Sequence, residues 1–124
     1  MRTSAAILAG AAGLTALGAG VLPATANAAT ASPKTIAAQI VPASQLASFN
    51  QIISHESGWN VTATNPSSGA YGLGQALPGS KMASAGADWK TNPKTQIKWA
   101  YDYMNSRYGS PNAAWSFWQN HHWY

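Results

Sequence analysis

The chain has 124 residues, a net charge of +4 and no cysteine. That suits one small domain whose stability comes from packing rather than disulfides or cysteine-ligated metal. The positive balance is too sparse and scattered for a nucleic-acid footprint, and suits an anionic polymer better.

Met1-Arg2 gives a short positive start, followed by an uncharged run from Ala5 to Leu22. Ala26-Asn27-Ala28 is a small-x-small site, so residues 1–28 read as a secretory signal peptide cut after Ala28. The competing reading is a membrane anchor, which the length of the apolar run allows. Residues 29–43 are rich in Ala, Thr and Pro, and we expect a loosely packed arm there.

Residues 44–124 form the expected domain. Ser44 is a good N-cap for a helix from Gln45 to Ser57, which Gly58 stops. Leu46, Phe49, Ile52 and Ile53 fall at helical spacing on one face, and the next step of three lands on Glu56. Glu56 is the only glutamate in the chain. A carboxylate at the end of an apolar stripe is partly desolvated, which raises its pKa and suits a general acid. The bland alternative is a frayed helix end facing water.

From Asn60 to Gln75, Val61, Thr62 and Thr64 favour strand and Asn65-Pro66-Ser67-Ser68-Gly69 signals a turn, with Ala70 to Leu73 as a return strand. A small hairpin or an irregular loop of similar shape is expected. Its glycines allow unusual backbone angles and close approach of a ligand. A short helix follows from Pro78 to Ala85, ended by Gly86. Asn92-Pro93 opens a helix carrying Ile97, Tyr101, Met104 and Tyr108, ended by Gly109. Ser110-Pro111 opens a last helix with Ala114, Trp115 and Trp118. The fold class is therefore α+β, mainly helical.

The chemistry narrows by exclusion. His55-Glu56 begins like the zinc-protease H-E-x-x-H, but Trp59 stands where the second histidine belongs. His121 and His122 have no obvious ligand partner, so no metal site is expected. There is no G-x-S-x-G, and Gly72-Leu73-Gly74 does not extend to a phosphate-binding fingerprint. One carboxylic acid in an apolar setting, a glycine-rich turn and many aromatic rings suit glycoside cleavage. Such enzymes ordinarily use two carboxylates. Asp102 is expected to face solvent, and Asp88 to serve as a turn or capping residue.

Ile53-Ser54-His55-Glu56-Ser57-Gly58-Trp59-Asn60, with Ser68-Gly69-Ala70-Tyr71-Gly72-Leu73-Gly74-Gln75-Ala76-Leu77-Pro78, resembles the soluble lytic transglycosylase family over about residues 45–124. The resemblance implies a lysozyme-like fold, cleavage of peptidoglycan between N-acetylmuramic acid and N-acetylglucosamine, and 1,6-anhydro products, with no cofactor. It implies Glu56 as the single catalytic acid/base, Ser57 as the residue orienting it, and Gln75 as a sugar contact. Tyr71, Gly72, Leu73 and Gly74 would line the cleft beside it. The family's tyrosine near the glutamate has no counterpart in Ala114-Trp115-Ser116-Phe117-Trp118-Gln119. Trp118, or Tyr101 or Tyr103 from the neighbouring helix, is left to take its place. The resemblance further implies a secreted, cell-wall-associated bacterial protein, and we expect a monomer. Two other readings are a hydrolytic goose-type-like lysozyme using Asp88 as base, and a wall-binding module without activity.

Overall fold

The computed structural model describes residues 31–124. The signal-peptide cleavage site expected after Ala28 lies outside them. Residues Ser32–Tyr124 form one compact unit. It holds four α-helices and one 3₁₀ helix: α1 Pro33–Ile40, α2 Ala43–Ser57, the 3₁₀ helix Gly79–Ser84, α3 Pro93–Tyr108 and α4 Pro111–His121.

The helix starts follow simple capping chemistry. The Ser32 hydroxyl accepts from Thr35 N, the Asn92 side chain from Lys94 N, and the Ser110 hydroxyl from Ala113 N, each with proline just inside the helix. These side chains satisfy amides that a helix start leaves without partners. α2 starts differently. Pro42 occupies the cap position with no side-chain hydrogen bond, and the helix begins at Ala43, ahead of the expected Ser44 cap. Ser44 is instead in the first turn, where its carbonyl accepts from Asn112 Nδ2 at 3.2 Å. α2 ends at Gly58 in the left-handed conformation, its N–H bonded to Ser54 O at 3.0 Å.

The core is built from Phe49, Ile52 and Ile53 of α2, Ile97, Ala100 and Met104 of α3, Ala114 of α4, Leu73 of the connecting loop, and Ala37 and Val41 at the end of α1. Helix α4 packs on α2, α1 on α3, and α3 on α4. Asn112 pins the start of α4 to the start of α2: its amide donates to Gln45 Oε1 at 3.0 Å and its side chain accepts from Ser48 Oγ at 2.6 Å.

One expectation needs correction. Residues 33–40 are a capped helix with Ala37 fully buried, and Val41 is 3% exposed beside it. This part of the stretch expected as a loose arm thus contributes to the core. Of the hairpin and the irregular loop expected after α2, the loop forms. Residues 60–78 make an irregular loop with two isolated bridges, Thr64 with Tyr71 and Tyr71 with Ala76. Gly69, Gly72 and Gln75 all take positive φ, which turns the chain out of the extended region before a ladder can grow. Among the described residues, no helix is long and apolar enough to cross a membrane.

Candidate active site

Glu56 lies in the last turn of α2, half-buried. The packing of α4 on α2 brings Trp118 over it, and the indole Nε1 donates to Glu56 Oε2 at 2.7 Å. Trp118 is itself held by rings: Trp115 at 5.3 Å, His122 at 5.2 Å and His55 at 4.7 Å between centroids. His55 is fixed from below through Nδ1 and Gln51 O at 2.8 Å.

Burial pushes the Glu56 carboxyl above its ordinary value near 4.5. The Trp118 hydrogen bond and the neighbouring His55 charge pull it down, and burial prevails. This is the electrostatic condition of a group that can give a proton and then take one back.

The other two acids are elsewhere. Asp88 stands at the entrance to α3, where Oδ1 accepts from the Thr95 hydroxyl and Oδ2 from Asn92 Nδ2, both at 2.7 Å. These bonds favour the charged form and hold its pKa below the ordinary value. Both of its oxygens are thus engaged in capping. Asp102 is exposed on α3.

The glycine-rich segment is held by a residue that sequence reasoning missed. Gln96 is fully buried, and its Oε1 accepts from Leu73 N at 2.8 Å. Its Nε2 donates to Val61 O at 3.0 Å and to Trp89 O at 2.8 Å. One side chain therefore ties three loop segments to α3. Gly72, at φ +82°, passes so close that an added Cβ would lie 2.7 Å from Gln96 Oε1. At Gly74 a Cβ would lie 2.9 Å from the Tyr124 hydroxyl and 3.1 Å from Ala100 Cβ. The close approach these glycines permit includes one to the protein's own side chains.

The remaining expected residues divide. Leu73 is wholly core. Ser57 spends its hydroxyl on α2, donating to Ile53 O and accepting from Trp59 N, both at 3.2 Å. Tyr71 donates to Lys90 O at 2.8 Å and meets Trp89 edge-on at 5.7 Å, which makes it a brace between loops. Gln75 donates to Ala63 O and Gly72 O while also lining a surface hollow with Gly74, Lys81, Tyr103 and Tyr124. Tyr101 is half-buried against the core. Tyr124, not singled out in the sequence, donates to Gly74 O at 2.6 Å. Burial, then the Glu56 charge, push its phenol well above the ordinary value. The only signal for it was the aromatic density of the tail. Among the described residues, no cluster of three or more His, Asp or Glu side chains could hold a metal.

A scan against protein families matches residues 35–120 to the transglycosylase SLT domain. The chain belongs to that family. Its mainly helical fold agrees with the lysozyme-like class expected for the SLT domain. It is similar to the probable transglycosylase IsaA of Staphylococcus haemolyticus (strain JCSC1435), 40% identical over 79 residues. That stretch is 63% of this chain and 29% of that protein, so the SLT chain spans under a third of this relative's length. No solved structure matches. The family match begins at residue 35, within α1.

Proposed function

We propose that this SLT domain is a peptidoglycan lytic transglycosylase with Glu56 as its only catalytic acid and base. The observation that carries the reading is the state of the three carboxylates. Glu56 alone is half-buried, raised in pKa and aimed by a tryptophan N–H. Asp88 is occupied by Asn92 and Thr95, which removes support from hydrolysis with Asp88 as base.

In this mechanism Glu56 gives its proton to the glycosidic oxygen as the bond from muramic C1 breaks. The substrate's own acetamido group stabilises the cationic carbon. Glu56, now charged, takes the proton of the muramic C6 hydroxyl, whose oxygen closes on C1. The product is a 1,6-anhydro sugar, and Glu56 is returned protonated. Neither water nor a second carboxylate takes part, and no cofactor is needed. Trp118 holds the carboxylate through both halves. The Gln75 side lines the substrate path, and Ser57 acts through the end of α2.

The partner is the glycan strand of the wall, not nucleic acid, and the domain acts as a monomer. Secretion with removal of residues 1–28 would put it there, and intact mass of protein recovered from medium or wall should show a chain starting at Ala29. The catalytic reading is tested by Glu56→Gln. The amide keeps size and hydrogen bonding but cannot give or take the proton. Muropeptide release from purified sacculi should fall by about 10⁴-fold, the upper end for general acid–base catalysis. Thermal unfolding and sacculus pull-down should persist. Retention of more than about a tenth of activity would contradict acid catalysis by Glu56.

A further inference from the structure

Asp102 is the one acidic side chain that neither the site nor a helix cap uses. It is exposed on α3 and lines an open hollow of about 270 Å³ with Ser84, Ala85, Trp99, Tyr103 and Ser106. The hollow beside the glycine-rich loop, bearing Gln75, Lys81 and Tyr124, shares Trp99 and Tyr103 with it. The two hollows therefore meet at that aromatic pair, whose rings are stacked at 5.0 Å with planes 21° apart. Trp99, Asp102, Tyr103 and Ser106 fall at steps of three and four along α3, so they share one stripe of the helix.

The chemistry of the outer hollow is specific. Its wall is aromatic, and its rim carries a carboxylate and the hydroxyls of Ser84 and Ser106. An apolar stem ending in a cation matches both features, by contact with the rings and by charge at the rim. Although Lys98 stands four residues before it on α3, this carboxylate would repel the anionic groups of a wall polymer that approach the hollow. It therefore selects for a positive group on that polymer. On a peptidoglycan strand the side-chain amine of a diamino acid in the stem peptide has that form. The peptide hangs from the muramic sugar, next to the bond that Glu56 would cut, and its carboxylates suit Lys81 of the inner hollow. We propose that the Trp99–Asp102–Tyr103 hollow binds the side-chain ammonium of a stem peptide, so that the enzyme prefers peptide-bearing strands. The inference rests on the transglycosylase reading for its substrate, but its test does not depend on turnover.

The test is a calorimetric titration of the full chain with a free stem tripeptide ending in a diamino acid with an unblocked side-chain amine. Asp102→Asn, a surface change, should weaken binding about two- to fivefold, the range for an exposed charge pair. Acetylating the peptide amine should weaken it equally, and the two changes together should cost no more than either. Glu56→Gln should leave this binding intact, so loss of catalysis and loss of peptide recognition are read apart. Equal binding of the acetylated and free peptides, or no effect of Asp102→Asn, would overturn the proposal. A glucosamine disaccharide, with its free sugar amine, supplies the other arm. If its binding depends on Asp102 and that of the peptide does not, the hollow reads a de-acetylated sugar and the stem-peptide assignment falls. In turnover, the preference for peptide-bearing over peptide-stripped strands should shrink by the same factor in Asp102→Asn, with cleavage of stripped strands unchanged.

Discussion

Glu56 sits between opposing influences, and each can be removed separately. In the proposed mechanism the carboxyl must be protonated to start the reaction, so activity should fall as pH rises through its raised pKa. Trp118 donates to the charged form and lowers that pKa. Trp118→Phe should therefore raise it further and move the alkaline limb of the pH–rate profile to higher pH. The same change frees the carboxylate's orientation and should cost about tenfold in kcat/KM, since a hydrogen bond to a charged group is worth about 1.5 kcal/mol or more. An unshifted alkaline limb would show that Trp118 merely packs. Stability follows pH in the same direction. A carboxyl whose folded pKa exceeds its unfolded one binds protons more tightly when folded. Its contribution is favourable at low pH and is lost as pH rises from about 4.5 through the folded pKa. Glu56→Gln should thus gain stability relative to the natural protein across that window, with a constant difference above it, as measured by thermal unfolding at a series of pH values. Glu56 itself was legible in the sequence, because the periodicity that buries Ile52 and Ile53 extends to it. Its partner Trp118 was one of three candidates, with Tyr101 and Tyr103 of α3, since nothing in a linear pattern states which helix brings a ring to Glu56.

At the level of elements, the helices from α2 onward were legible and the course of the loop was not. Ser110 and Asn92 announce their helices through capping chemistry that acts within a few residues. The loop from 60 to 78 is set by Gln96, a polar residue in the first turn of α3 that lies far from it in sequence. The strand propensity of Val61, Thr62 and Thr64 suggested strands, but the backbone amide of Leu73 and the carbonyl of Val61 bond to Gln96 instead of to a partner strand. Gln96→Ala would leave Leu73 N, Val61 O and Trp89 O without that partner and open a cavity. We expect a loss of about 3 kcal/mol, at about 1–3 kcal/mol per orphaned buried group with partial relief by water. Circular dichroism should place Tm about 10 °C or more lower, on the scaling for a domain of this size. A Tm within about 2 °C of the natural protein would show that the loop holds itself. Tyr71, expected as a cleft residue, braces Lys90 O across the same region, so its removal should affect stability as well as turnover.

For the molecule as a whole, the sequence misplaced the start of the domain. Alanine, threonine and proline between 29 and 43 have the composition of a tether. Yet Pro33 follows the Ser32 cap, and Ile36, Ala37 and Ile40 form a short apolar stripe that reaches α3. Eight residues are too few for periodicity to stand out against composition, and small side chains hide a buried face. Ala37→Asp separates the two views. In a loose arm it would be neutral, but at a fully buried position it should cost about 3 kcal/mol or more, the range for an unpaired buried charge. Chemical denaturation of the purified domain reads that difference directly.

The central claim is that one carboxyl group performs both proton transfers and that the sugar's own hydroxyl, rather than water, closes the reaction. Mass spectrometry of the soluble fragments released from purified peptidoglycan tests it most directly. Ring closure on C6 leaves 1,6-anhydro ends that lack one water relative to reducing ends and do not react with borohydride. The account predicts anhydro ends on the released strands, in protein with Glu56 intact and in none of the products of Glu56→Gln. Reducing ends as the main product would contradict it, and would assign the second step to a water that Glu56 or another group must activate.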